Sequence, residues 1–88
     1  MEIIYAGFGT HNNTFDVTLR VIDAYNGGQR FFEANNLWQQ WGDPAPGQKK
    51  CLYIVWKTDG GGPNSGVVRE GDNQGIELPD PGIPQPNP

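Results

Sequence analysis

A short polar stretch with two tryptophans is the part of this sequence best suited to binding chemistry. It runs Asn35-Asn36-Leu37-Trp38-Gln39-Gln40-Trp41-Gly42-Asp43-Pro44-Ala45-Pro46-Gly47. An indole face can cover the C–H face of a pyranose ring, while amide and carboxylate groups hydrogen-bond to its hydroxyls. The stretch therefore predicts a ligand-binding loop for a sugar. Its predicted ligand-binding residues are Trp38, Gln39, Gln40, Trp41 and Asp43.

A second polar loop follows the β-prone residues 3–8. It carries His11, Asn12 and Asn13, whose imidazole and amide groups add hydrogen-bonding capacity beside the first candidate. A histidine in such a loop is more often simply solvated, so these three residues form a second-rank candidate for the ligand site. Asn12-Asn13-Thr14 also matches a glycosylation sequon, but without an export signal a polar turn is the favoured interpretation.

The chain has few of the residue patterns that enzyme catalysis requires. There is one histidine and one cysteine, far apart in sequence, and no nucleophile elbow or zinc-type spacing. Asp59 and Asp72-Asn73 do not follow the spacing of a calcium loop. We therefore expect no enzyme activity, no cofactor and no metal.

Charge and hydropathy limit the partners. The net charge is −4, and the six basic residues are scattered along the chain, so the electrostatic term that drives nucleic-acid binding is missing. The apolar run at the N-terminus is too short for a signal peptide or a membrane span. These patterns predict a cytoplasmic protein without nucleic-acid partners or membrane insertion.

Length and composition favour one small β-rich domain. The 88 residues include 13 Gly and 8 Pro, which is typical of a chain rich in turns. We predict an all-β or β-rich fold, a small antiparallel β-sandwich of five to six strands, with a compact domain over residues 1–79. The Pro-rich residues 80–88 should form an extended or disordered tail.

The elements that must position the candidate residues follow from periodicity. Apolar residues over 17–25 have helical spacing, with Asp16 as the N-cap and Gly27-Gly28 as the stop. Strand-like alternation from Phe15 to Val21 is the alternative. Further strands are predicted over 29–35 and 49–58, with a hairpin from the latter into Val67-Val68-Arg69 and a last strand over 76–78.

The strand over 49–58 is apolar on both faces, which predicts burial on both. Leu52, Ile54 and Trp56 share one face, so Trp56 should pack in the core. Cys51 and Tyr53 lie on the other face, where Cys51 should be a buried free thiol. Because a domain this short without a disulfide has a small core, we expect a non-covalent homodimer to cover that second face.

The segment after Trp41 should build a rigid corner. Pro44 and Pro46 fix φ, and Gly47 permits a positive φ at the exit. Asp43 has two possible roles here, since its carboxylate can accept backbone N–H groups in an Asx-type turn or contact a ligand.

Several short motifs follow one another along the chain. They are Ala6-Gly7-Phe8-Gly9, Asp16-Val17-Thr18, Asn35-Asn36, Gly42-Asp43-Pro44-Ala45-Pro46-Gly47, Lys50-Cys51-Leu52-Tyr53-Ile54, Val68-Arg69-Glu70-Gly71 and Leu78-Pro79. In this order they resemble a family of small β domains of unassigned function that also occurs at the C-terminus of DnaJ-type mitochondrial co-chaperones. The match spans residues 3–79, and the resemblance implies a compact β-rich fold rather than an activity. The chain has no J-domain, so a co-chaperone role does not transfer.

By type, a small tryptophan-bearing domain without an export signal also resembles the cytosolic defence lectins of fungal fruiting bodies. The sequence thus predicts a carbohydrate-binding protein, with glycans as partners and a homodimer as the assembly. The alternative is a non-enzymatic protein-interaction domain in which Trp38 and Trp41 anchor a partner or the dimer interface.

Overall fold

The computed structural model describes residues 1–81 and shows a β-rich domain with two antiparallel sheets, as predicted. It has six strands and two helices, and of the helices only the first was predicted. Four strands form one antiparallel sheet in the order β2-β1-β4-β5, and β3 pairs with β6 in a second, two-stranded antiparallel sheet. The elements are β1 (Glu2–Gly9), β2 (Thr14–Asp16), α1 (Thr18–Asn26), β3 (Phe31–Phe32), α2 (Leu37–Trp41), β4 (Cys51–Lys57), β5 (Pro63–Arg69) and β6 (Ile76–Glu77).

The segment after Phe15, for which the sequence allowed either a helix or a strand, forms the helix α1. The N-cap is Val17 and not the predicted Asp16, which ends β2. The Asp16 carboxylate accepts the Thr18 backbone N–H at 3.0 Å and the Thr18 hydroxyl at 2.6 Å just before the helix. Val21 and Tyr25, four residues apart, are buried on one face of the helix. The helix ends at Gly27, and the following Gly28 has a φ of 109°. The predicted stop is therefore confirmed, and burial of one helical face outweighs the competing strand alternation.

One face of the four-stranded sheet, here called the inner face, carries the core. Ala6, Phe8, Leu52 and Ile54 are fully buried there, because side chains alternate along each strand and every second one points inward. Helix α1 and the short β3–β6 sheet supply the rest of the core. The buried apolar residues outside the four-stranded sheet are Val17, Val21, Tyr25, Phe32, Ala34, Leu37, Ala45, Ile76 and Leu78.

Two predictions about strands need correction. The strand expected over 29–35 is limited to Phe31 and Phe32, because its neighbour β6 is equally short. The strand β4 lies between β1 and β5 as expected, but it is buried on its inner face only. On the opposite, outer face Tyr53 is 43% exposed, and Cys51 is half-buried rather than buried. No other element of residues 1–81 covers that face.

Trp56 lies at the edge of the core. It shares the inner face with Leu52 and Ile54, as predicted, and packs against the core cluster while staying half-buried. Its ring also lies 3.5 Å from the position that a Cβ on Gly66 would occupy. Glycine at this point of β5 therefore leaves room for the indole and for Ile76.

The C-terminal part of the domain is fastened to α1. The Tyr25 hydroxyl donates to the Pro79 carbonyl at 2.6 Å, and the Arg30 guanidinium lies 3.9 Å from the centre of the Tyr25 ring. Arg30 also pairs with Asp80 at 3.0 Å. The predicted tail over 80–88 falls, after Pro81, outside the described residues.

Among the described residues, neither helix is long and apolar enough to cross a membrane.

Candidate functional site

The tryptophan-bearing stretch forms the short helix α2 instead of the predicted loop. Asn36 precedes it with a φ of 65°, the left-handed conformation that Asn tolerates better than most residues. Leu37 is buried and so fixes the orientation of the helix. Trp41, one helical turn later, packs half-buried against the core, whereas Trp38 is 44% exposed. The two indoles therefore have different environments.

Helices α1 and α2 and strand β3 enclose a groove of about 500 Å³, here called the α1–α2 groove. Its aromatic surface comes from Trp41 and from Phe31, which is 47% exposed. The polar groups that line it and are used below are those of Arg20, Asp23, Glu33 and Gln40.

Most of these polar groups are available to a ligand. Within residues 1–81, Arg20, Asp23 and Glu33 take part in no ion pair. Glu33 meets only the Asn35 amide, at a long 3.5 Å. Asn35 itself is committed to structure, since its side chain accepts the Gly71 N–H at 2.8 Å and donates to the Asp72 carbonyl at 2.9 Å. Asn35 thereby ties the entry to α2 to the β5–β6 turn.

Asp43 lies in the predicted corner and is already engaged there. Its Oδ1 accepts the Ala45 N–H at 3.1 Å, as an Asx-type turn requires, and Gly47 has a φ of 78°. The same oxygen lies 3.2 Å from the ammonium of Lys50. The carboxylate thus has two partners within the protein.

The Lys50 ammonium is the one charged group in the core of the described residues, and it is fully surrounded by oxygens. Besides Asp43, it meets Glu70 at 3.2 Å, the Gln48 carbonyl at 2.6 Å and the Ala45 carbonyl at 3.3 Å. Burial acts to lower the pKa of Lys50, but the hydrogen bonds and charges of Asp43 and Glu70 outweigh it and raise the pKa above its ordinary value. The corner is therefore closed around a cation.

The second predicted loop, between β1 and β2, leads to a different cavity. His11 lines a groove of about 850 Å³ that lies on the outer face of the sheet and is here called the open-face groove. Asn12 and Asn13 are exposed at the tip of the same loop. The other residues of this groove that matter below are Tyr5, Gly7, Lys49, Tyr53 and Arg69.

The structure separates the predicted site residues instead of gathering them. Trp41 and Gln40 line the α1–α2 groove, and His11 lines the open-face groove; the two grooves share no lining residue. Trp38 and Gln39 are exposed but line neither groove.

Sequence reasoning missed the partners of Trp41 and the residues of the open-face groove. Arg20 and Asp23 were visible as the polar side of a helical pattern, but nothing in the sequence indicates that α1 faces α2. For the open-face groove a signal existed, because Tyr5, Gly7 and Gly9 alternate along β1 opposite Cys51 and Tyr53 on β4.

Comparisons of the chain with protein-family models, with curated proteins and with solved structures found no match. The resemblance to the small β domains therefore stays a prediction, and function is argued from the grooves themselves.

Proposed function

We propose that this protein binds carbohydrate, without catalysing a reaction on it, in the α1–α2 groove. The observation that supports this most directly is the presence of two aromatic rings, Trp41 and Phe31, beside charged groups that take part in no ion pair within residues 1–81. A pyranose offers an apolar C–H face and a rim of hydroxyls, so it is complementary to this combination.

Each polar group has a role in the proposed complex. The carboxylates of Asp23 and Glu33 accept hydrogen bonds from sugar hydroxyls, and the Arg20 guanidinium and Gln40 amide donate to hydroxyl or ring oxygens. The volume of about 500 Å³ lies within the range of small-ligand sites. It suits a mono- or disaccharide better than a long chain.

Affinity at one such site should be weak, since an open groove covers little of the ligand. A homodimer would present two grooves and raise the apparent affinity for a multivalent glycan surface by avidity. The proposed dimer would therefore strengthen binding to glycans that a surface displays in many copies.

A second candidate function is binding of a protein partner through Trp38. The observation that favours it is the 44% exposure of this indole outside both grooves. Exposed tryptophans are enriched among the residues that dominate protein interfaces. The two functions differ in which tryptophan carries the binding, so substitutions separate them.

A glycan array followed by calorimetric titration of the best hit tests the carbohydrate proposal. Glu33→Gln and Phe31→Ala should each weaken binding of that glycan by about tenfold, as expected for the loss of one good contact. Glu2→Gln is the matched control, because it removes a carboxylate from an exposed position on β1, outside the groove. An array without hits, or a hit whose affinity both groove variants leave unchanged, would refute the proposal.

A further inference from the structure

Glycine backbone and the Tyr5 side chain together form the floor of the open-face groove. Gly7 lies on β1 opposite Tyr53 of β4, and a methyl group at Gly7 would come within 2.7 Å of the Tyr5 hydroxyl oxygen. The Tyr5 side chain therefore lies over Gly7, which has no side chain of its own. The rings of Tyr5 and Tyr53 stand 6.4 Å apart, centre to centre, at an angle of 58°. A concave aromatic surface results, with the exposed Tyr53 ring at its side.

The charges around this groove have one sign. Lys49 and Arg69 line it, and none of the Asp or Glu side chains of residues 1–81 does, although the whole chain has a net charge of −4. Neither cation takes part in an ion pair within the part of the chain that the structure describes. This contrasts with Lys50, the next residue after Lys49, which has two carboxylate partners.

Lys49 and Arg69 lie diagonally across the extended β4–β5 pair. Arg69 is paired with Cys51 in the β4–β5 register, and the Lys49 ammonium lies 3.3 Å from the position that a Cβ on Gly71 would occupy. Lys49 and Arg69 thus extend the same face of adjacent chain segments. Like charges in such positions repel, and an anion between them relieves the repulsion.

We propose that the open-face groove binds a small oxyanion monoester that carries an apolar ring. The phosphate or sulfate group is held by Lys49 and Arg69, and the apolar ring packs against the rings of Tyr53 and Tyr5. His11 borders the same groove and offers a further hydrogen-bonding group. The site is separate from the α1–α2 groove and does not depend on the carbohydrate proposal.

A second copy of the chain fits this groove poorly. In a two-fold dimer that used this face, the patch would meet itself, and the Lys49 and Arg69 charges of both copies would be brought close to one another. A small anion neutralises the Lys49 and Arg69 charges without bringing further cations close to them. The groove is therefore assigned to the monoester and not to a second copy of the chain.

The test uses phenyl phosphate as the probe, with phenyl sulfate to distinguish the two oxyanions and phenol as the uncharged control. Saturable amide shifts in heteronuclear NMR should be confined to Gly7, Gly9, Cys51 and their neighbours. At least one of the two monoesters should bind, phenol should bind much more weakly, and salt should weaken the binding. Alkylation of the Cys51 thiol in the floor of the groove should slow when the probe is present.

Single substitutions test which cationic side chains hold the phosphate or sulfate group. Lys49→Gln and Arg69→Gln should each reduce the probe affinity by about tenfold, the loss expected for one charge-assisted hydrogen bond. Lys57→Gln is the matched control, because it removes the same charge from an exposed position at the other end of β4. All three variants should keep the wild-type melting temperature, since these side chains lie on the surface.

Three results would overturn the proposal. The first is the absence of saturable shifts with both monoesters. The second is an equal effect of Lys57→Gln and Lys49→Gln, which would indicate unspecific screening. The third is salt-dependent binding of an oligothymidylate when neither monoester binds, which would assign the groove to single-stranded nucleic acid.

Discussion

Glu70 holds Lys50 by both its backbone and its side chain. One carboxylate oxygen, Oε1, accepts the Lys50 backbone N–H at 2.7 Å and lies 3.2 Å from the Lys50 ammonium. The Glu70 N–H in turn donates to the Lys50 carbonyl at 2.8 Å. The pair extends the β4–β5 ladder beyond its last regular register and closes the proline corner from one side.

Removing one member of this pair should destabilise the fold. Lys50→Met leaves the carboxylates of Asp43 and Glu70 without their shared cation, and Glu70→Gln leaves a buried ammonium with less compensation. Thermal unfolding followed by circular dichroism should show a clearly lower melting temperature for each, whereas Lys57→Met should melt like wild type. The double variant Lys50→Met/Glu70→Gln should lower the melting temperature by less than the sum of the decreases in the two single variants. Full additivity would show that the two side chains do not interact.

The alkaline limit of stability should depend on Tyr25. Burial raises the pKa of its hydroxyl above the ordinary value of 10.0, and the nearby Asp80 adds to this, while Arg30 opposes it. A pKa raised by folding stabilises the protein fully below pH 10.0 and ceases to do so as the pH rises through the folded value. The pKa of Lys50 is raised as well, so its contribution is lost in the same direction.

Urea unfolding at a series of pH values should therefore show stability that is constant near neutrality and falls above about pH 10. A spectrophotometric titration should resolve one phenol that ionises late. Tyr25→Phe is the control, because it should remove that late component and weaken the attachment of Pro79. A late component that survives in Tyr25→Phe would assign it to another tyrosine.

The two tryptophans of α2 should respond differently to truncation. Trp38→Ala removes an exposed side chain and should change the free energy of unfolding by less than about 0.5 kcal/mol. Trp41→Ala should cost about 1 to 3 kcal/mol, because the half-buried indole packs on the core. On the carbohydrate proposal, glycan binding is lost with Trp41 and kept with Trp38. The reverse pattern with a protein ligand would favour the second candidate function.

The loss of stability on truncating a core side chain should increase with how deeply that side chain is buried. Phe8 is fully buried, so Phe8→Ala should destabilise by about 3 to 5 kcal/mol. Trp56 is only half-buried, and Trp56→Ala should cost less, about 2 kcal/mol. Chemical denaturation of both variants gives the order directly, and an equal loss would mean that the indole is more tightly packed than its exposure indicates.

The assembly prediction is tested by mass. Light scattering at micromolar concentration should give twice the chain mass of 9.7 kDa, with or without reductant, since a dimer without an intermolecular disulfide is independent of the Cys51 thiol. A mass near that of one chain would remove avidity from the carbohydrate proposal. Because of the Lys49 and Arg69 charges we expect the dimer contact to avoid the open-face groove, which revises the sequence-based prediction that the dimer covers the outer face of β4.

Sequence patterns predicted local features of the fold well. Helix α1 and its stop, the alternation of Leu52 and Ile54, and the positive φ of Gly47 follow from periodicity and from backbone sterics, which act over a few residues. The candidate site was much less predictable. Trp41 and Phe31 are distant in sequence, and only the packing of Leu37 and Phe32 into one core brings them to a common groove. The Lys50 cluster was missed for the same reason, because the proline corner brings Asp43 to Lys50 while the extended β4–β5 pairing brings Glu70.

The attachment of the C-terminal part has a consequence for how the chain folds during synthesis. Strand β1 pairs with β4, and Ile76, Leu78 and Pro79 complete the core and the Tyr25 contact. Long-range pairings of this kind form slowly compared with local ones. A nascent chain therefore cannot close this domain until residues 76–79 have left the ribosomal tunnel. Until then the apolar inner face of the sheet is open to other proteins, and holding chaperones have their longest opportunity to bind.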